Sequence, residues 1–294
     1  MSEDYRFTIS ICNYNMENTI EESLQSILQN VTDDFEVLVV DESTDNSRDV
    51  VKKVQQSHDN LRLVELDPDP DRNLGKMRNI GIQEARGDFV LIYVDADDRY
   101  NCGITDFAEI YLQMRESLGH DFYLSGGNIN ISSRDFLLNK APHRNLPISA
   151  AEEDFEIRLQ NEDDVIYLTH DSFSEEIDKP ERKKSKFYGF KRSFEATVAR
   201  FQMGTTFRSL FKYTVITDER LTLMDRLVYL IVLPLAYLVA LPKERYEIPS
   251  DFRDYRERDR RRPNYTYTLE EIEEQFGITF DRDELSDCGK DVFL

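Results

Sequence analysis

The stretch Asp95-Ala96-Asp97-Asp98, at the end of the apolar run Phe89 to Val94, holds the residues best suited to chemistry. Carboxylates delivered together to the carboxyl end of a strand can share Mg²⁺ or Mn²⁺. Such ions take one or two protein carboxylates and complete their shell with phosphate oxygens. A cation there would neutralise a departing diphosphate. The plainer alternative is a polar turn after a strand. Two further apolar runs end in the same manner: Phe7 to Cys12 leads into Asn13-Tyr14-Asn15, and Phe35 to Val40 leads into Asp41-Glu42-Ser43-Thr44-Asp45. A third acidic cluster, Glu152-Glu153-Asp154, holds carboxylates able to take the proton of an attacking hydroxyl. It also suits the first turn of a helix, where the macrodipole favours acidic residues. Deprotonation matters only for a hydroxyl acceptor, because a phosphate acceptor is already anionic.

The elements that must position these groups alternate strand and helix over the first 130 residues. Strands are expected at Phe7 to Cys12, Phe35 to Val40, Leu61 to Leu66 and Phe89 to Val94. Helices are expected at Glu17 to Gln29, from Ser47, at Gly75 to Ala85, and through Phe107, Tyr111, Met114 and Leu118. This order implies an α/β fold with a doubly wound, mostly parallel sheet. Ligands of such sheets bind beyond the carboxyl ends of the strands, where the polar clusters lie.

Four blocks resemble glycosyltransferase family 2, whose catalytic domain has the GT-A fold. They are ISICNYN, VLVVDESTDNS, the continuous stretch NLGKMRNIGIQEARGDFVLIYVDADD, and AAEEDFEIRL. The resemblance covers roughly residues 5 to 170 and implies a nucleotide-diphosphate sugar as donor. By this resemblance Asp41 would hold the nucleotide base, with Asn13 and Tyr14 lining the same pocket. Arg78 would face the donor's uridine or diphosphate. Asp95 would contact the ribose or the metal, Asp97 would ligate Mg²⁺ or Mn²⁺, and Asp154 would be the general base of an inverting transfer. His170, in VIYLTHDSF, stands where some GT-A enzymes take a third metal ligand. The alternatives are a helix cap for Asp41, a surface ion pair for Arg78 and a polar strand end for His170. The chain has no Trp, so the QxxRW motif of processive polysaccharide synthases is missing and single-sugar transfer is expected.

Composition narrows the partners. The net charge is −21, with 25 Arg and only 12 Lys, which suits a surface held in concentrated salt and argues against nucleic acid as a partner. Residues 179–212 run against this trend with a charge of +8 and seven interleaved Phe and Tyr, a pattern suited to a membrane surface or a lipid-phosphate acceptor. Leu227 to Leu241 is free of charge, shorter than the roughly 20 residues that span a bilayer, and contains Pro234, so a re-entrant or interfacial hairpin is expected. The N-terminus MSEDYRFTIS does not resemble a signal peptide, so the catalytic part is expected at the cytoplasmic face. Three dispersed cysteines, Cys12, Cys102 and Cys288, support neither a disulfide framework nor a zinc site.

The expected organisation is a catalytic domain over 1–172, a basic and apolar membrane-associated helical region over 173–245, and a charged tail over 246–294 with a helix at Leu269 to Phe276. The expected function is transfer of one sugar to a lipid-linked acceptor, a polyprenyl- or dolichol-phosphate-linked glycan. Similarity to archaeal dolichol-pathway enzymes would place it in cell-surface N-glycan assembly. Rival readings are a dolichyl-phosphate sugar synthase, a cell-surface polysaccharide glycosyltransferase, a nucleotidyltransferase and a catalytically silent membrane scaffold. Oligomeric state has no signal in the sequence.

Overall fold

The computed structural model describes residues 5–69, 74–144, 146, 148–161, 164–177, 186–218, 221–246 and 262–294. Chain order is β1 (Phe7–Asn13), α1 (Ile20–Leu28), β2 (Phe35–Asp41), α2 (Ser47–Gln55), β3 (Leu61–Glu65), α3 (Leu74–Glu84) and β4 (Phe89–Val94). Then come β5 (Asp98–Tyr100), α4 (Gly103–Leu118), β6 (Tyr123–Ser125), β7 (Asn130–Ser133), α5 (Arg134–Asn139), α6 (Ile148–Asn161), β8 (Val165–Leu168) and β9 (Ser174–Glu176). The last third holds α7 (Lys186–Gln202), α8 (Phe207–Phe211), α9 (Leu223–Ala240), β10 (Thr266–Tyr267), α10 (Leu269–Phe276) and α11 (Asp287–Phe293).

One eight-stranded sheet runs β10-β8-β6-β7-β4-β1-β2-β3, and within it only β7 is antiparallel to its neighbours. The expected doubly wound, mostly parallel sheet is therefore present, and the architecture is the GT-A fold. β2 (FEVLVVD) is buried along its whole length, which is why it reads as a continuous apolar run. Val37 and Val39 pack on one face of the sheet, Leu38 and Val40 on the other. Because β2 and β4 flank β1 on opposite sides, the chain reverses its winding there. The crevice of the switch point opens over the ends of β1 and β4.

β4 carries a β-bulge just before its acidic end. Leu91 pairs with Ile9 and Val94 with Ile11, so Ile92 and Tyr93 together face Ser10. Tyr93 takes up the extra residue in the left-handed region, at φ +67°. Strict alternation would place Tyr93 on the Leu91 face. The bulge keeps it with Ile92, on the face that packs α3 and α6. Gly81 brings α3 close to β1, since a Cβ there would collide with Ser10 Oγ.

Three expectations need correction. The apolar run is one continuous helix, α9, and not a hairpin. Its N-terminus is fixed by a capping box between Thr222 and Asp225, and it passes through Pro234 unbroken. The backbone bond lost at Pro234 is offset by the buried face of Leu233, Ala236 and Ala240, packed on Val198 and Phe201 of α7 and Leu210 of α8. The tail is no separate appendage either. β10 adds parallel to β8, and α11 packs on α4. Finally, Cys102 and Cys288 form a disulfide that joins the start of α4 to α11. Beside it, the buried Asp106 carboxylate accepts hydrogen bonds from Ser286 N (2.8 Å) and Ser286 Oγ (2.7 Å).

Candidate active site

The end of β2 builds the first wall of the crevice. Asp41 is fully buried, and both of its oxygens are occupied. Oδ1 accepts from Ser43 N (2.8 Å) and Arg48 Nε (2.8 Å), and Oδ2 from Ser43 Oγ (2.9 Å) and Asn13 Nδ2. Register explains the last bond, because Asn13 and Asp41 are paired residues of β1 and β2. A carboxylate with two donors on each oxygen has no lone pair left for a nucleotide base. The expectation that Asp41 holds the base is thus corrected: it braces the loop that would. Asn13 Oδ1 remains buried without a partner beside it, and Tyr14 is half-buried at the rim.

The end of β4 builds the second wall. Asp95 is exposed at the mouth of the crevice, while Asp97 and Asp98 are mostly covered. The Asp95 amide donates to Tyr100 Oη (2.8 Å), and Ile177 N donates to the Asp97 carbonyl (2.7 Å). β5 pairs with β9 and fixes the loop between these points. Crowding by surrounding protein, then the charges of Asp97 and Asp98, push the Asp95 carboxyl up to about 6, against the pull of Arg78. A cluster short of positive charge fits a divalent cation. Among the described residues no three His, Cys, Asp or Glu side chains form a metal cage. A donor set of two carboxylates suits a cation that arrives with phosphate oxygens.

His170 does not complete such a set. Its Nδ1 lies 2.6 Å from the Asp171 carbonyl oxygen and its Nε2 2.9 Å from that of Gly126. The ring is packed between Phe173 and Phe293. A ligating nitrogen needs its lone pair directed at the metal, and both nitrogens here face carbonyls, so the third-ligand expectation is corrected.

Arg78, Tyr93 and α6 form the third wall. The buried Arg78 guanidinium lies 3.8 Å above the Tyr93 ring, and its Nη2 donates to Glu152 Oε1 at 2.7 Å. Tyr93 in turn meets Phe155 and His143 edge to face. His143, which carries no sequence signal, stacks on Phe155 at 4.4 Å, and burial pushes its pKa well below the usual value. It is a neutral packing ring.

The expected base, Asp154, faces the wrong way. It is fully buried between Arg144 Nη1 (2.9 Å) and Arg158 Nε (3.1 Å). On a helix, residues two apart differ by about 200° around the axis, so Asp154 cannot share a face with Glu152. Glu152 and Glu156, four apart, do share one. They line a cleft of about 420 Å³, including its open mouth, together with Arg78, Tyr93, Asp95, Gly127, Asn128 and Asn130. Helical periodicity applied to AAEEDFEIRL could have found this. Tyr93 and Asn130 had no comparable signal.

Comparison with known proteins agrees with this fold. Residues 8–108 match Glycosyl transferase family 2. The poly(ribitol-phosphate) β-N-acetylglucosaminyltransferase TarS of Staphylococcus aureus is 36% identical over 99 residues, which are 33% of this chain and 17% of that protein. The teichoic acid poly(glycerol phosphate) polymerase of Staphylococcus epidermidis is 34% identical over 95 residues, 32% of this chain and 13% of that protein. This chain therefore spans less than a fifth of either relative. The crystal structure of S. aureus TarS 1–349 in complex with UDP-GlcNAc aligns over 94% of this chain and 93% of that one, with a TM-score of 0.53 at 18% identity. The stretch from β1 into α4, which supplies Asn13, Asp41, Arg78, Asp95 and Asp97, is thus the part of the chain that matches Glycosyl transferase family 2, and the chain as a whole has the GT-A fold.

Proposed function

We propose that the protein is an inverting glycosyltransferase that moves one sugar from a nucleotide-diphosphate sugar to a hydroxyl of a lipid-linked acceptor at the cytoplasmic face of a membrane. The observation that carries this reading is the crevice at the switch point. There the acidic end of β4 faces Arg78 and Glu152 across one cleft.

Arg78 Nη1, buried and without a partner, is a donor directed at an anionic oxygen of the donor substrate. Asn13 and Tyr14 would line the pocket for the base. Mg²⁺ or Mn²⁺ held by Asp95 and Asp97 would supply Lewis-acid neutralisation of the leaving diphosphate. Glu152 takes the place first given to Asp154. It lines the cleft, and Arg78 orients it through Oε1, so its carboxylate can accept the proton of the attacking hydroxyl. A base that acts on a hydroxyl favours extension of an existing glycan over charging of a bare lipid phosphate. The acceptor is a polyprenyl- or dolichol-phosphate-linked glycan in cell-surface N-glycan assembly, and the Arg-rich acidic composition suits a halophilic archaeon. The names of the relatives favour a second acceptor, a hydroxyl of a cell-surface polymer, which needs the same base.

The test is release of free nucleoside diphosphate from UDP-, GDP- or dTDP-sugars. EDTA should abolish it, added Mn²⁺ should restore it, and Asp97→Ala should lower it by about 10²-fold or more. Release of pyrophosphate would indicate a nucleotidyltransferase. Full activity of Asp97→Ala in EDTA would remove the metal from the scheme.

The membrane part rests on α9. It is the one helix, among the described residues, long and apolar enough to cross a bilayer, with a mean hydropathy of 1.8 over 18 residues. Only one face packs on the protein. Leu223 (75%), Met224 (69%) and Ile231 (66%) are largely exposed, as are Leu227, Leu235 and Leu238. So large an apolar surface marks an interaction site. The neighbouring α7 belongs to the basic segment, which directs the face toward anionic lipid. The chain should float with vesicles containing phosphatidylglycerol, and the double variant Leu227→Glu, Ile231→Glu should not. Equal flotation of the two would exclude α9 as the contact.

A further inference from the structure

The C-terminal helix α11 packs against the stretch of chain that braces the acidic end of β4. Phe293 meets Phe107 of α4 and Phe173, and Val292 O accepts from Asp171 N at 2.9 Å. The same stretch continues to the acidic loop. Asn101 N donates to Phe173 O (3.0 Å), Ser174 Oγ to Asp98 Oδ2 (3.3 Å) and Ile177 N to Asp97 O (2.7 Å). Asn128, which lines the cleft, donates to Ser174 Oγ at 3.2 Å. Residues 171–177 thus form a strip with α11 on one side and Asp97 and Asp98 on the other.

A helix of seven residues does not persist alone, so its contacts decide whether α11 stays docked. One of them is covalent. The Cys102–Cys288 bond ties α11 to the N-cap of α4, shortly after Asp98 in the chain. Linked in this way, α11 can move away only as far as the bond allows, and it redocks as a neighbour. Both cysteines are half-buried, so a small dithiol can reach them. At the cytoplasmic face proposed above thiols are kept reduced, and disulfides formed there are usually sensing or catalytic.

We propose that the Cys102–Cys288 pair is a redox-sensitive clamp on the acidic end of β4. As the disulfide it holds α11 down, and α11 holds the strip 171–177 against Asp97 and Asp98. A dithiol opens it. One thiolate attacks a sulfur of the bond, a mixed disulfide forms, and the second thiol of the reagent displaces it. Two electrons and two protons pass to Cys102 and Cys288, which become thiols, and the dithiol leaves as its cyclic disulfide. α11 then exchanges between docked and undocked states, and the acidic loop loosens with it. Only the effect on turnover rests on the glycosyltransferase reading.

The experiment compares the full chain before and after dithiothreitol. Alkylation in denaturant should label Cys12 alone before reduction and all three cysteines after it. Hydrogen exchange at the amides of Asp98, Asn101, Asp171 and Ile177 should quicken by about tenfold or more on reduction, while the amides of β2 stay protected. The Mn²⁺ concentration for half-maximal release of nucleoside diphosphate should rise by about tenfold, with turnover at saturating Mn²⁺ changed less. The Cys102→Ser, Cys288→Ser double variant should match the reduced chain and should not respond to dithiothreitol. Three labelled thiols before reduction overturn the proposal, as does exchange at these amides that reduction leaves unaltered. A chain that turns over with the same Mn²⁺ requirement in both forms also overturns it, and the bond is then a plain staple. Release from no nucleotide sugar in either form counts against the glycosyltransferase reading alone, because labelling and exchange still decide the clamp.

Discussion

Glu152→Gln is expected to lower sugar transfer by about 10²- to 10⁴-fold while changing nucleotide-sugar affinity only a few-fold. Glu152 has two tasks, and the substitution separates them. Its Oε1 accepts from Arg78 Nη2 at 2.7 Å, and the amide oxygen of Gln can still accept there. The guanidinium therefore stays over Tyr93. What Gln cannot do is take up a proton from the incoming hydroxyl. Calorimetric titration with donor should look nearly normal, while single-turnover transfer collapses, and Glu152→Asp should recover part of the rate. Transfer by Glu152→Gln at the native rate would exclude Glu152 as the base.

Asp154→Ala is expected to act on stability, at a cost of about 3–5 kcal/mol. The carboxylate has no exposed surface and holds Arg144 and Arg158 at 2.9 and 3.1 Å. Its removal leaves two guanidinium groups side by side with nothing between them. These cations are partly exposed, at 28% and 18% of their side chains, so water recovers some of the loss and the lower end of the range is the better guide. On a chain of this size that corresponds to a fall in Tm on the order of 10 °C. A variant that melts normally but transfers no sugar would return Asp154 to the chemistry.

The contrast between these two carboxylates shows what the sequence made legible. Strand ends were easy to read: β1, β2 and β4 are short apolar runs stopped by polar groups, and a parallel sheet gathers their carboxyl ends at one edge. Residues 74–98 were legible for the same reason, because Arg78, one helix and the acidic strand end follow one another directly. What a side chain has left to offer was not legible. Asp41 lies at the expected strand end, but Asn13, Ser43 and Arg48 use up its lone pairs, and those bonds follow from strand register and a loop turn. His170 is similar, with one nitrogen at the carbonyl of its neighbour Asp171 and the other at that of Gly126, 44 residues back in the chain. The Cys102–Cys288 pair, 186 residues apart, forms because the chain returns to the sheet, and no spacing rule reaches that far. Tyr93 at φ +67° ran against expectation altogether, since an aromatic residue is an unusual occupant of that region.

The return of the chain to its sheet has a mechanical consequence. The segment bearing α7, α8 and α9 leaves after β9 and comes back at β10, which hydrogen-bonds to β8. It is a loop fastened at both feet, where a trailing anchor would have one. Between those points α7 is held on α6, through Arg200 and Glu153 at 2.9 Å and through Ala199 and Met203 in one cluster with Ala151 and Ile157, and that contact resists swivelling. Whatever α9 settles against therefore sets the heading of the whole sheet and of the crevice at its edge.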